Sequence, residues 1–221
     1  MKTPVVDYRQ LRLSKLTDPQ FSHLFLLLGW VGYFILYFLT ENLIPAENCT
    51  PVKMWLDDVI PFNEWFVIPY VFWYLLVVIS LGWFLFYDIK SFKCLQTYII
   101  ITQIIAMIVY ILYPTRQDLR PEVFPRENLL SDLVGLIYGF DTNTGVCPSL
   151  HVAYSIGIAS VWVRQKEAYT WWKVFVVFAV IMICLSTMFI KQHSAVDFFA
   201  ALPVCLVAEI AVYGKSYFRI P

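Results

Sequence analysis

The sequence predicts an all-α, polytopic membrane protein, a bundle of six transmembrane helices with both termini in the cytoplasm. Of its 221 residues, 60% are hydrophobic and only 14% are charged, whereas a soluble domain has about 25% charged residues. Six apolar stretches approach the length of about 20 residues that a helix needs to cross a bilayer. Basic residues, moreover, concentrate in alternate connections between these stretches, as the positive-inside rule expects.

The six predicted spans occupy residues 21–40, 67–87, 94–113, 149–164, 171–190 and 193–213. The fourth is short, and we expect it to begin in the headgroup layer. No linker or repeat divides the chain, so residues 1–221 are predicted to form a single domain. Residues 1–20 are a polar, basic lead-in, and residues 41–66 mix acids, prolines and aromatics. This composition indicates an outer interfacial loop or a short helix on the membrane surface.

Most basic residues fall on one side of this topology, which we assign to the cytoplasm. They are Lys2, Arg9, Arg12, Lys15, Lys90, Lys93, Arg164, Lys166, Lys173, Lys215 and Arg219. The opposite side, predicted to be extracytoplasmic at the plasma membrane, receives 41–66, 114–148 and the junction at 190–193. Its basic residues include Arg116, Arg120, Arg126 and Lys191. As exceptions to the charge rule, these are expected to bind an anion.

Charge and cysteine usage narrow the partners and the covalent chemistry. The net charge is +0 and no basic stripe or zinc-finger spacing occurs, which argues against nucleic acid and leaves the lipid bilayer as the expected partner. Cys49 and Cys147 both lie in predicted outer segments, where disulfides persist. A Cys49–Cys147 bridge and two free thiols are therefore equally expected.

The segment Ser186–Asp197, STMFIKQHSAVD, places polar groups at the junction of two apolar spans. If a helix starts near His193, then His193 and Asp197 lie on one face, four residues apart. The carboxylate can then hold one imidazole nitrogen while the other faces a substrate. The same pair also suits a helix cap or, with His151, a zinc site.

Two further polar patches fall on the same predicted face, YPTRQDLRP at 113–121 and CPSLH at 147–151. Arginine supplies planar donors that match phosphate oxygens. Pro148 suits the first turn of a helix, where the amides of Ser149 and Leu150 form an anion site. His151 is then placed to transfer a proton. The convergence of the three patches indicates phosphoryl chemistry.

These patches resemble the three signature motifs of the type 2 phosphatidic acid phosphatase superfamily, which shares its core with vanadium haloperoxidases. The family pattern is K-x6-R-P, then P-S-x-H, then S-R-x5-H-x3-D. Matching residues occur in order at Arg120-Pro121, at Pro148-Ser149-x-His151, and at Ser186 with His193 and Asp197. The motif-bearing core covers about 100–213.

Two positions depart from the family pattern. Tyr113 stands at the lysine position and Thr187 at the arginine position, and Arg116 and Lys191 are nearby cations that can replace the lost charge. The Tyr-Pro-Thr and Ser-Leu-His forms are similar to the inositol-phosphotransferase and sphingolipid-synthase branch. That branch passes the headgroup to another alcohol instead of to water.

The resemblance implies a phosphatase for membrane lipids that needs neither metal nor cofactor. His193 would attack phosphorus, Asp197 would stabilise the imidazolium, and His151 would act as acid and then base. Phosphate oxygens would be held by Arg120, Ser149, Lys191, Arg116 and the Leu150 amide. Transfer to an acceptor alcohol is the alternative reaction, and a lipid transporter without hydrolysis is the alternative from another class.

Overall fold

The computed structural model describes residues 3–217, and the side chains of residues 3–214. Within that range the chain forms eight α-helices: α1 Leu28–Leu43, α2 Trp55–Val59, α3 Val67–Tyr87, α4 Ile89–Leu112, α5 Leu129–Phe140, α6 Leu150–Arg164, α7 Thr170–Phe189 and α8 Ala195–Tyr217. Two strands of two residues each, β1 Thr50–Pro51 and β2 Thr115–Arg116, pair in parallel. The predicted all-α class holds apart from this short pairing.

Five of the described helical segments are long and apolar enough to cross a membrane. They are Ser22–Leu43, Glu64–Tyr87, Ile89–Leu112, Thr170–Phe189 and Ala195–Gly214. Large apolar side chains cover their outer surfaces, among them Phe38, Val78 and Val174, each more than 60% exposed. On helices of spanning length, such surfaces are typical of contact with lipid tails. The chain is therefore an integral, multi-pass membrane protein, and these five helices coincide with five of the six predicted spans.

The remaining predicted span, 149–164, is α6, which differs from the other five in length and surroundings. It has 15 residues, or about 22 Å at 1.5 Å per residue, and packs against α3, α4, α7 and α8. Gly157 brings α6 close to α4, because a Cβ there would lie 2.6 Å from the Tyr98 ring. A helix enclosed by protein on its sides does not have to match the hydrocarbon thickness of the bilayer.

At one end of the bundle, the ends of several helices are held together by polar contacts. Gln165, which follows α6, donates to the Asp88 carboxylate between α3 and α4 at 2.8 Å. Arg164 pairs with Glu209 of α8 at 2.5 Å, and Tyr8 of the lead-in donates to Leu85 O at 2.8 Å. The predicted basic groups border this end. Lys2, Arg219 and the side chain of Lys215 lie outside the described residues.

At the other end, the outer segments, 44–66 and 113–149, fold over the bundle and contact each other. Glu64 is 1% exposed, and its carboxylate accepts from Arg126 Nε at 2.8 Å and Asn128 Nδ2 at 3.1 Å. Asn128 also caps α5 by accepting from Leu130 N and Ser131 N. The predicted outer segment 41–66 indeed contains a short helix, α2, whereas α5 is a second helix that the sequence analysis did not assign.

Candidate active site

The junction between α7 and α8 positions His193 through a tight backbone turn. The amides of Gln192 and His193 both donate to Thr187 O at 3.0 Å, and Lys191 N donates to Met188 O. Lys191 adopts the left-handed conformation with φ of 54°, which costs a non-glycine residue about 1 kcal/mol. The turn reverses the chain and leaves His193 two residues before the start of α8.

Asp197 both caps α8 and orients His193. Its Oδ2 accepts from Ser194 N at 2.9 Å and lies 3.1 Å from His193 Nδ1. Asp197 is fully buried and His193 is 7% exposed. Because α8 begins at Ala195 rather than near His193, the pair bridges the helix start instead of lying on a helix face. The sequence left open whether Asp197 caps the helix or orients His193, and in the structure it does both.

His151 lies in the first turn of α6 and faces His193. Their ring centroids are 5.6 Å apart. On its other sides the His151 ring packs against Tyr70 and Trp73 of α3, at centroid distances of 4.7 and 4.1 Å. Its Nε2 is buried and has no hydrogen-bond partner among the described residues. Two imidazoles, one on α6 and one in the turn before α8, thus share one apolar site.

The start of α6 is fastened to both neighbouring elements. Ser149 Oγ accepts from Val152 N at 3.4 Å as the helix cap, and Ser149 N donates to Asp197 O at 3.1 Å. Tyr110 of α4 donates to Pro148 O at 2.7 Å. The predicted Pro–Ser–x–His patch and the predicted His–Asp patch therefore do meet, and the hydrogen bond from Ser149 N to Asp197 O joins them.

Both histidines line a cavity of about 510 Å³ between α1, α3 and the outer segments. Most of its wall is aromatic or aliphatic: Trp30, Tyr33, Phe34, Tyr37, Trp73, Tyr74, Val77, Val78, Leu81, Tyr110, Phe140, Val146, Leu150 and Tyr154. The wall includes Phe34 and Val78, which are 58% and 68% exposed on the outer surface of α1 and α3. The cavity is therefore partly open on the side that faces the membrane.

The predicted phosphate-binding cations do not line this cavity. Lys191 Nζ donates to Asp57 O and Ile60 O, at 2.8 and 2.5 Å. Arg116 pairs with Asp118 at 3.0 Å and donates to two carbonyl groups. Arg120 donates to the carbonyl groups of Tyr138, Asp141 and Thr142 and lies over the Tyr138 ring. These three cations hold the outer segments together.

Burial affects the ionisation of two of these cations. It lowers the pKa of the Lys191 ammonium below its ordinary value, although Asp57 and Asp58 oppose the shift. It also lowers the pKa of Arg120, against the opposing effect of Tyr138 and Asp141. An arginine stays charged in proteins nonetheless.

The two departures from the family motifs are placed differently. Thr187 is buried inside α7, where its hydroxyl donates to Cys184 O at 2.8 Å. Tyr113 is 57% exposed at the end of α4. Neither side chain lines the cavity, so neither substitutes directly for a phosphate-binding cation.

Cys49 and Cys147 are free thiols, so the predicted disulfide is not formed. Cys49 Sγ lies 3.6 Å from Pro45 O, whereas Cys147 is held beside Asp197. Burial, together with the Asp197 carboxylate, raises the pKa of the Cys147 thiol to about 12. A thiol in that state is a poor nucleophile for disulfide exchange.

Asp141 and Asp57 belong to the site although the sequence analysis singled out neither. Asp141 lines the cavity and accepts from Tyr70, Tyr37 and Gln192, at 3.1, 3.3 and 2.9 Å. Asp57, on α2, is 5% exposed and accepts from Ser194 Oγ at 2.6 Å and Ala195 N at 2.8 Å. The sequence carries no local signal for either, because Asp57 adjoins Asp58 in the mixed segment 41–66 and Asp141 begins a polar run, 141–144.

Among the described residues, no group of three or more His, Cys, Asp or Glu side chains has the geometry of a metal site. Asp197 contacts Nδ1 of His193, on the ring side opposite Nε2, so the pair does not converge on one point. Comparison of the chain with protein-family models, with curated proteins and with solved structures finds no match.

Proposed function

We propose that this protein is an enzyme that cleaves a phosphate ester of a membrane lipid through a phosphohistidine intermediate. One observation carries the proposal. Two imidazoles face each other at 5.6 Å, one held by a buried carboxylate at 3.1 Å, in a cavity bordered by membrane-facing side chains. A nucleophile with an oriented base partner and a separate acid–base group is the arrangement that covalent phosphoryl transfer requires.

In the first step, His193 Nε2 attacks phosphorus and forms an N–P bond while the bond to the lipid oxygen breaks. His151 gives its proton to that oxygen, and Asp197 stabilises the charge on His193 through Nδ1. In the second step, His151 takes a proton from water or an alcohol, which attacks phosphorus and releases His193. First-turn amides of α6 at Leu150 and His151 are the donors available for the phosphate oxygens.

Hydrolysis of a phosphate monoester or diphosphate is the leading reaction, because the motif resemblance is to lipid phosphatases. Transfer to a second alcohol is a second candidate that one observation favours. Within residues 3–214, no Lys or Arg side chain lines the cavity, whereas a dianionic monoester needs cationic partners when it leaves water. A diester carries a single negative charge and needs fewer.

The site is proposed to face the extracytoplasmic side of the plasma membrane, with the predicted fourth span provided by α6. The basic residues that seemed to contradict this orientation are paired within the protein, and Lys53 pairs with Asp58. Arg126 pairs with Glu64, Arg116 with Asp118, and Arg120 and Lys191 donate to backbone carbonyl groups. Cations that are already paired within the folded outer segments contradict the positive-inside rule less strongly than unpaired cations would.

The test is to incubate the purified protein in detergent with a panel of phospholipids, with and without acceptor alcohols. We expect phosphate or a transferred headgroup from the unaltered protein and none from His193→Ala or His151→Ala, both still monodisperse. His193→Ala should also lose the acid-labile phosphorylated protein. Full turnover by either variant would refute the assignment. Lipid translocation in liposomes with no phosphate or headgroup product would favour the transporter.

A further inference from the structure

Helix α5 has an apolar side that no described part of the chain covers. Leu129, Leu136 and Phe140 are each more than 60% exposed. Their spacing of seven and four residues places them on one side of the helix, and Asp132 is exposed at the edge of that side. An uncovered apolar stripe bordered by an acid is the pattern of a helix that lies at a boundary between water and an apolar phase.

The opposite side of α5 is fastened to the bundle. Val134 packs with Val67 and Tyr70 of α3 and with Ile190, which follows α7. Tyr138 donates to Ile190 O at 2.5 Å. The apolar stripe therefore faces away from the folded chain, and a surface outside the chain has to cover it.

The two ends of α5 lie at different depths along the bundle. At its start, the cap Asn128 donates to Glu64, which lies three residues before α3. Just after its end, Asp141 accepts from Tyr70, three residues into α3, and from Tyr37, six residues before the end of α1. At 1.5 Å per residue, these positions are about 5 and 9 Å inside the helix ends. Helix α5 therefore descends from the rim of the bundle to the depth at which interfacial helices insert.

The apolar stripe also continues the membrane-facing surface of the spanning helices. Phe140, the last residue of α5, lines the cavity together with Phe34 of α1 and Val78 of α3, which are both exposed on the outside of the bundle. Three side chains offer at most about 600 Å², even if each matched a phenylalanine. Each partner of a stable complex buries about 800 Å². A second copy of the chain therefore fits the stripe less well than the bilayer that surrounds α1 and α3.

We propose that α5 is an interfacial helix whose side formed by Leu129, Leu136 and Phe140 is inserted into the leaflet beside the outer segments. The edge that carries Asp132 stays among the headgroups and water. Because Phe140 borders the cavity, insertion of α5 fixes that part of the cavity mouth at the level of the lipid chains. The inference does not depend on the reaction at the histidines, and it is tested without turnover.

The first experiment measures the depth of α5 in the full-length protein, reconstituted in phosphatidylcholine nanodiscs. Two photoactivatable phosphatidylcholines are compared, one with a diazirine near the ester and one with a diazirine at the chain end, and tandem mass spectrometry locates the labels. We expect the shallow probe to label Leu136 and Phe140, and the deep probe to label Val78 in the middle of α3. Val123, an exposed residue of the loop before α5, should carry neither label. If α3 is labelled and α5 is not, the inference is wrong.

The second experiment compares two aspartate substitutions by thermal unfolding in the same nanodiscs. Leu136→Asp should lower the melting temperature by at least about 2–4 °C, because a carboxylate then has to lie in lipid. Leu136→Phe, which stays apolar, should not. Val123→Asp is the matched control and should leave the melting temperature unchanged, because Val123 lies between the exposed acids Glu122 and Glu127.

Equal melting temperatures of Leu136→Asp and Val123→Asp would overturn the insertion of α5. Native mass spectrometry of the same proteins tests the other occupant of the stripe. A dimer of the unaltered protein that Leu136→Asp converts to a monomer would show that a second copy, and not lipid, covers the stripe. Loss of all turnover from the unaltered protein would contradict the proposed function and leave the placement of α5 as it is.

Discussion

Replacing Asp57 tests how far an outer helix controls the turn that carries His193, the proposed nucleophile. Asp57 belongs to α2, which does not span the membrane, yet its carboxylate accepts from Ser194 and Ala195, the two residues after His193. It also accepts from Met54 N at 2.8 Å. The same residue's backbone carbonyl accepts from Lys191 Nζ. Asp57 therefore holds the chain on both sides of His193.

The size of the effect follows from these bonds. A hydrogen bond to a buried charged group contributes about 1.5–3 kcal/mol. In Asp57→Asn the amide oxygen can keep the donors on one side, while its NH₂ group faces another N–H or O–H, so at least one bond is lost. We expect a loss of about 2 kcal/mol for Asn and about 4 kcal/mol for Ala, since truncation leaves three donors without an acceptor. Displacement of His193 by about 1 Å would lower kcat by about 100-fold.

The assay pairs thermal unfolding in detergent with the rate at which phosphohistidine accumulates. Asp58→Asn is the control, because Asp58 is the next residue of α2 but its side chain is 65% exposed in a surface pair with Lys53, worth less than about 1 kcal/mol. We expect Asp57→Asn to lower both stability and kcat with little change in KM, and Asp58→Asn to change neither. If both variants behave alike, Asp57 does not position His193.

Three further outcomes follow from the packing and the backbone. Gly157→Ala should destabilise the protein by about 1–3 kcal/mol, because the new methyl group meets the buried Tyr98 ring at 2.6 Å. Gly82→Ala is the control and should not destabilise it, because nothing lies within 4 Å of that position. Equal melting temperatures of the two variants would contradict the close α4–α6 contact. Lys191→Gly should be about 1 kcal/mol more stable than Lys191→Ala. Both variants lose the ammonium group, but only glycine adopts the left-handed backbone conformation without steric cost. Identical melting curves would count against that conformation. Mass spectrometry of protein denatured with an alkylating agent and no reductant should find Cys49 and Cys147 both modified, and an intact Cys49–Cys147 peptide would show the bridge instead.

The sequence predicted the membrane-spanning helices well because lipid imposes a simple requirement. A long apolar stretch must form a helix to satisfy its backbone polar groups, so five spans could be read directly. The remaining predicted span, α6, could not be distinguished from these five by its hydropathy. It has 15 residues and is enclosed by other helices, so its length is set by protein packing, which hydropathy does not report.

At the site, local spacing predicted what lies close in sequence and failed for what does not. His193 and Asp197 are four residues apart, and their contact at 3.1 Å was predicted from that spacing. The roles of Arg116 and Lys191 depend on carbonyl groups of residues 46, 49, 57 and 60, which are far away in the chain. A cation can pair with any acceptor that the fold brings near it, and here those acceptors are backbone carbonyl groups.

The outer segments are therefore part of the site and not merely connections between spans. Asp57 caps α8 while Lys191 returns a bond to the carbonyl group of Asp57, so the 41–66 region and the turn that carries His193 constrain each other. Asp141, which follows α5, joins Tyr37 of α1, Tyr70 of α3 and Gln192 of that same turn. The spanning helices bring the two histidines to one end of the bundle, but side chains from outside the membrane hold His193 in its orientation and give the cavity its charge. Exchanging these segments should consequently disturb the orientation of His193, and with it the His151–His193 pair.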